Sequence, residues 1–262
     1  MDTSTRRRGR RQQARLWRVP VRRVRSLTPR MVRITVGGDE LADFPATGTD
    51  QNVMLYFYDD DVELPEPLTL EAARGMWSRV RPTMRSYTIS GHDPAAGEID
   101  FDFVLHDAGP ASAWAAAAEP GDQLIFVGPS PNYTPDPDAD WYLLAGDETA
   151  IPAIAATLRE LPAGKRALVF VEVTDVTDEQ PLPTAADAEV RWLHRGATAA
   201  GQSDVLVEAV RAAEFPDGQA DAWIGTERSA LVAVRQYLLG ELGMPRANVR
   251  ATTYWRHGEA GN

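Results

Sequence analysis

The chain has 262 residues, of which 44% are hydrophobic and none is cysteine. That length allows one large domain or two small ones, while disulfides and cysteine-held iron–sulfur clusters are excluded. Its 27 basic and 38 acidic residues leave a net charge of −11, which argues against polyanion binding by the body of the protein. No apolar run approaches the roughly 18 residues that a membrane-spanning helix needs.

The first 35 positions hold twelve arginines against one acid, Asp2. RRRGRRQQAR has almost nothing to bury, so residues 1–16 read as a solvated tail, with a nucleic-acid arm as the alternative. No apolar stretch of a secretory signal follows the arginines. VPVRRVRSL (19–27) and MVRITV (31–36) read as strands around a turn at Thr28 and Pro29. NVMLYFY (52–58) and MRSYTIS (84–90) are further strands, and residues 59–80 between them read as an aperiodic excursion. In EIDFDFVLH (98–106), Ile99, Phe101, Phe103 and Leu105 share one face, and Asp100, Asp102 and His106 the other. GPASAWAAAAEPG (109–121) predicts a short helix with Pro110 in its first turn. QLIFVG (123–128) is the next strand, and the spacing of the set predicts a small antiparallel β-barrel.

PSPNYTPDPDAD (129–140) has the composition of a linker. Beyond it the pattern alternates. Strands are expected at 140–146, 166–173, 188–194, 221–225 and 248–255, and helices at 149–161, 203–213 and 227–243. This alternation predicts an open parallel α/β sheet covered on both faces. The expected fold class is thus a β-barrel plus α/β. Ligands of such sheets bind beyond the carboxyl ends of the strands.

Three stretches have the chemistry of a nucleotide cofactor site. Arg85 can grip a phosphate, Tyr87 offers a flat ring, and Thr88 offers a hydroxyl. Strand parity sets Thr88 on the face opposite Arg85 and Tyr87, so joint use needs a bulge or twist near Tyr87. The helix beginning after Gly109 presents free N–H groups to an anion, with Ser112 in its first turn. AGDETAIP (145–152) follows a buried strand and opens a helix; Gly146 permits close backbone approach and Thr149 is placed to cap. It lacks the GxGxxG spacing of the usual dinucleotide fingerprint. Read alone, each stretch also has an ordinary reading, as a strand, a helix or a turn. The histidines (His92, His106, His194, His257) are scattered, and no metal-ligand spacing, GxSxG or phosphate-binding Walker loop occurs.

Taken together and in order, RSYT (85–88), DFVLHDAGPASAWA (102–115) and DWYLLAGDETAIPAI (140–154) resemble the siderophore-interacting protein family. These are the FAD-dependent ferric-siderophore reductases of the wider ferredoxin-reductase-like fold. VEVTDVTDEQ (171–180), WIGTE (223–227) and YWRHG (254–258) are similar too. Three positions depart from the family pattern: Ser90 stands where an arginine is common, Asp107 follows His106 without an intervening glycine, and GPSPNYTP is poor in glycine.

Between the Arg-rich tail (1–16) and a short tail (259–262), the resemblance implies a Greek-key-like FAD-binding barrel (17–130) and an NAD(P)H-binding domain (140–258), joined by the linker (131–139). Arg85 would hold an FAD phosphate, Tyr87 would pack on the ring system and Thr88 would approach its reactive edge. His106, Ala108, Gly109, Ala111 and Ser112 would line the ribityl–pyrophosphate region. Asp147 and Thr149 would lie where the nicotinamide of NADH or NADPH arrives, with Glu227 and Trp255 facing the same crevice. Thr88 and Thr149 are the catalytic candidates. The implied activity is NAD(P)H-dependent, FAD-mediated reduction of a ferric siderophore with release of Fe(II), without a protein-bound metal. A cytoplasmic monomer is expected, with no stable nucleic-acid partner and no membrane insertion. Lys165, Arg191, Arg195, Arg256 and Arg22, Arg23 and Arg25 are candidates for a basic substrate rim. Two other readings are a flavin reductase with a protein or quinone acceptor and a flavin-binding sensor without turnover.

Overall fold

The computed structural model describes residues 14–45, 48–59, 61–106 and 109–259. Among these residues, six antiparallel strands close a barrel and five parallel strands form a second sheet. The barrel strands are β1 (Arg15–Thr28), β2 (Met31–Gly37), β3 (Gln51–Phe57), β4 (Thr83–Asp93), β5 (Glu98–Val104) and β6 (Gln123–Pro131). Their order around the barrel is β1-β2-β5-β4-β3-β6. Alternation decides which side chains fill it: Trp17, Val19, Ile34, Leu55, Phe101, Phe103 and Phe126 all point inward into one cluster.

The outward partners of these residues need their own cover. Leu16, Tyr56 and Ile125 receive it from the segment between β3 and β4, through Leu64, Leu68, Leu70, Ala73 and Trp77. That segment contains a helix, α1 (Leu70–Met76), where the sequence shows no periodicity. Seven residues are too few to display a helical stripe, but Thr69 caps it by accepting from the Ala72 N–H at 3.1 Å. The helix expected after Gly109 is present as α2 (Pro110–Ala117).

The second sheet comprises β7 (Trp141–Asp147), β8 (Arg166–Val173), β9 (Asp187–His194), β10 (Ala220–Glu227) and β11 (Val249–Trp255), in the order β11-β10-β7-β8-β9. Both faces are covered. Tyr142, Leu144, Val169, Val171 and Trp223 pack with α3 (Ile151–Glu160). Leu143, Ala145, Leu168, Phe170 and Ile224 pack with α4 (Val205–Arg211) and α5 (Arg228–Gln236). The last helix is shorter than its sequence pattern: α5 passes into a π turn over Tyr237–Glu241, at Gly240.

Barrel and sheet meet along α3. Arg159 donates to the Ser90 carbonyl, and Thr157 Oγ1 donates to Thr49 Oγ1 at 3.1 Å. Arg30, in the β1–β2 turn, reaches Asp178 at 2.8 Å and Asp175 at 3.1 Å. The proline-rich stretch before β7 is anchored: the Tyr133 hydroxyl and the Asp136 N–H both donate to Asp221, at 2.7 and 2.8 Å. No helix among the described residues is long and apolar enough to cross a membrane.

Candidate functional site

In the parallel sheet the chain runs from β7 outward to β9, then returns to the other side of β7 for β10. Carboxyl ends of β7 and β10 therefore border the switch point, where such folds leave a crevice. Asp147 ends β7 and stitches that point together. Its Oδ2 accepts from Thr226 Oγ1 at 2.8 Å, from the Glu227 N–H at 3.1 Å and from Trp255 Nε1 at 2.8 Å. Its Oδ1 accepts from the Thr149 N–H at 2.9 Å and from the Thr149 hydroxyl. The structure thus gathers Asp147, Thr149, Glu227 and Trp255 into one hydrogen-bonded group. Glu227 is itself engaged, accepting from the Ser229 and His257 N–H groups.

Two local expectations change here. Asp147, not Thr149, caps the turn that leads into α3. Gly146 does not leave room for a ligand: a Cβ there would lie 2.4 Å from both the Ala150 Cβ and the Gly225 oxygen. The glycine permits β7, β10 and the turn to pack against one another.

On the barrel side, Arg85 and Tyr87 follow the expected parity of β4, and Thr88 turns the other way, into the seam between barrel and sheet. Tyr87 lies against Phe103, with ring centroids 4.4 Å apart, and burial raises the pKa of its phenol. Arg85 Nη1 donates to the Met84 carbonyl at 2.7 Å. No carboxylate pairs with Arg85 among the described residues, so most of its five donors remain for a ligand. The expected bulge near Tyr87 lies elsewhere. β4 skips a residue against β5 between Ile89 and Gly91, and β11 skips one against β10 at Tyr254. The second of these bulges lets two successive side chains work in different directions. Trp255 reaches Asp147 while Tyr254 reaches across to the barrel.

That crossing is the part the sequence did not announce. The Tyr254 hydroxyl donates to Asp50 at 2.9 Å and stands 3.2 Å from Thr88 Oγ1. Trp223 Nε1 also donates to Asp50, at 3.4 Å. Asp50 is 1% exposed, and burial raises its pKa against the pull of these donors. Nothing in the run TGTDQN marks this residue as central; only its isolation before an apolar strand sets it apart. A second buried cluster lies beyond Asp147. Arg195 holds Glu148 bidentately and lies 3.8 Å from Glu172. Burial lifts the Glu172 carboxyl to about 7, although Arg195 opposes this.

Ser112 ties the first turn of α2 to His106. Its Oγ accepts from the His106 N–H at 2.9 Å and donates to the His106 carbonyl at 2.8 Å. This hydroxyl is therefore spent on the protein backbone. Ala111 packs into the barrel core, so only its backbone can serve a ligand. Gly109, at φ 108°, precedes α2, and no side chain among the described residues caps the helix. A helix start of this kind presents N–H groups to an anion. Ala108 lies outside the described residues. A cleft of about 200 Å³ runs from His106 and Leu105 on the barrel to Glu148, Ile151 and Arg195 on the sheet.

The expected basic rim is largely committed to the protein itself. Arg195 is buried with its acids, and Lys165 donates to the Pro137 and Ala139 carbonyls. Arg191 pairs with Glu189, Arg256 with Glu259 and Arg23 with Glu98, while Arg22 donates to the Gly37 carbonyl. Arg25 is exposed on β1. No metal-binding group of His, Cys, Asp or Glu side chains occurs among the described residues.

By chemistry the donor set fits a flat, phosphate-bearing cofactor: uncommitted guanidinium donors and an aromatic ring on one face of β4, the start of α2, and the Thr88 hydroxyl turned into the seam. Comparison with known proteins agrees in kind. A family model described as a siderophore-interacting FAD-binding domain matches residues 20–133, and one described as siderophore-interacting protein matches residues 139–258. An uncharacterised protein of Mycobacterium tuberculosis is 42% identical over 249 residues, covering 89% of this chain and 88% of that one. The ferric vibriobactin reductase ViuB of Vibrio cholerae is 30% identical over 243 residues, with 90% and 88% covered. The crystal structure of a siderophore utilization protein from T. fusca aligns with a TM-score of 0.83 at 35% identity, covering 95% of this chain and 96% of that one.

Proposed function

The chain belongs to the siderophore-interacting protein family, and on that premise we propose that it is a flavoprotein reductase of ferric siderophores that draws its electrons from NADH or NADPH. The observation that carries the reading is the meeting of the two halves. Thr88, on the strand of Arg85 and Tyr87, stands 3.2 Å from Tyr254, the neighbour of the Trp255 held by Asp147 at the switch point. A cofactor laid along β4 lies beside the crevice in which a dinucleotide binds.

When bound, FAD accepts a hydride and returns its electrons singly, which matches a two-electron donor to a one-electron ferric acceptor. The protein's share is binding and orientation. Arg85 grips a phosphate with its remaining guanidinium donors. The start of α2, held in shape by Ser112, offers backbone N–H groups to the pyrophosphate. Tyr87, pinned against Phe103, presents an apolar ring face. On the other side Asp147 fixes Trp255, Thr149 and the end of β10, so the nicotinamide meets a rigid wall. The iron enters and leaves as substrate. Hard oxygen ligands of a siderophore favour Fe(III), so reduction loosens their hold without any protein ligand.

The test is spectroscopic. Anaerobic protein loaded with FAD should lose its flavin absorbance on addition of NADH or NADPH. A ferric siderophore should then restore it while an Fe(II) chelator develops colour. Flavin absorbance that persists with both nucleotides would leave a binding protein without turnover. Bleaching without chelator colour would point to a different acceptor.

A further inference from the structure

Thr88 has a hydroxyl whose proton is already spoken for. Three groups meet in the seam. Asp50 Oδ1 accepts from the Tyr254 hydroxyl at 2.9 Å, and Thr88 Oγ1 lies 3.4 Å from the same carboxylate oxygen and 3.2 Å from the Tyr254 oxygen. The proton of Tyr254 is spent on Asp50, so its oxygen turns lone pairs toward Thr88. Both neighbours that Thr88 meets in the seam are therefore acceptors. A hydroxyl carries one proton and two lone pairs. With the proton drawn inward, Thr88 keeps only lone pairs for a ligand. Trp223 Nε1, at 3.4 Å from Asp50 Oδ2, holds the carboxylate from its far side.

We propose that Asp50 and Tyr254 fix Thr88 as a hydrogen-bond acceptor toward the flavin, so that the site holds reduced FAD more tightly than oxidised FAD. The inference rests on the reading above, in which the reactive edge of the ring lies beside Thr88. The reactive ring nitrogen of the oxidised flavin is itself an acceptor, and an acceptor-only hydroxyl has nothing to offer it. After hydride transfer the same nitrogen bears an N–H, which Thr88 can accept. Hydrogen bonds to ring nitrogens are one means by which a protein tunes such a cofactor. Asp50 and Tyr254 act through Thr88 and are positioning residues.

The sign of the effect is the test. Oxidised FAD, and FAD reduced with dithionite under argon, are titrated into apoprotein, and the two-electron midpoint potential is measured in parallel. Thr88→Val should weaken binding of the reduced form roughly tenfold and leave the oxidised form unchanged. The potential then falls by about 30 mV. Thr88→Ser, which keeps the hydroxyl, should keep the wild-type potential. Asp50→Asn should act from the other side. Trp223 holds the amide oxygen, so the NH₂ faces Thr88 and releases its proton to the flavin. Oxidised FAD then binds more tightly and the potential again falls. A rise in potential with Thr88→Val would make Thr88 a donor and overturn the proposal, as would an unchanged ratio of the two affinities. Wild-type protein that refuses FAD in both states would overturn the flavin reading as well; wild-type protein that binds FAD with no shift in the variants would overturn this inference alone.

Discussion

At the scale of single residues, the side chains divide into those kept for a ligand and those consumed by the fold. We place Arg85 in the first kind, since it donates to the Met84 carbonyl and pairs with no carboxylate among the described residues. Arg85→Ala should weaken FAD binding by roughly 10- to 100-fold, the range of a charge-assisted hydrogen bond, with little change in melting temperature. Equilibrium dialysis and a thermal melt of the apoprotein check both halves. Glu172 is of the second kind. Its carboxyl titrates near 7 in the folded chain because it is buried beside Asp147 and Glu148, against 4.5 when free. The folded state thus holds a proton that the unfolded state has released. Glu172 costs nothing below about pH 4.5, an increasing amount as pH rises toward 7, and a constant amount above. Glu172→Gln should show a smaller drop in melting temperature between pH 5 and 8 than the parent chain, as read by scanning calorimetry. Arg85, Tyr87 and Thr88 stand out in the sequence by their chemistry, whereas Asp147 and Trp255 enter only through the family resemblance. Asp50 does neither, because an aspartate before a strand looks the same whether it faces water or a tyrosine 204 residues away.

At the scale of elements, periodicity served wherever an element was long enough to show it. The barrel strands and the β7–α3 unit could be read directly, because alternation and helical spacing are local properties. α1 carries no legible pattern because seven residues complete only about two turns, and its one sign is the Thr69 cap. The bulges at Ser90 and Tyr254 had no sequence signal either, yet the second one aims Tyr254 at the barrel. Gly146 shows how an element-level constraint imitates a binding motif. Gly146→Ala should destabilise the chain by about 1–3 kcal/mol through overpacking against Ala150 and Gly225, measured as a lower urea midpoint with an unchanged slope. Had the glycine served a ligand, the same substitution would lower affinity and spare stability.

At the scale of the whole molecule, the barrel and the sheet are joined by polar contacts spread along one seam: Arg30 with Asp175 and Asp178, Arg159 with Ser90, and Asp50 with Trp223 and Tyr254. Removing one end should loosen the halves from each other. Arg30→Ala leaves the buried Asp178 without its cation, and denaturant unfolding should separate into two steps when followed by tryptophan fluorescence and by far-ultraviolet dichroism. A single coincident transition would show that α3 and the anchored proline stretch suffice to couple the halves. Composition and short-range pattern were enough to establish a barrel followed by a parallel sheet, and to nominate the strand and turns that we propose for a nucleotide cofactor. Such patterns arise from neighbours within a few residues, which a linear reading sees in full. Tertiary packing decided the rest: contacts within the sheet half gather Thr226, Glu227 and Trp255 around Asp147, and docking of the two halves sets which way the Thr88 proton turns. Asp50, Thr88 and Tyr254 come together from separations of 38 to 204 residues, and hydrogen-bond direction among them follows from partners that no local rule can supply.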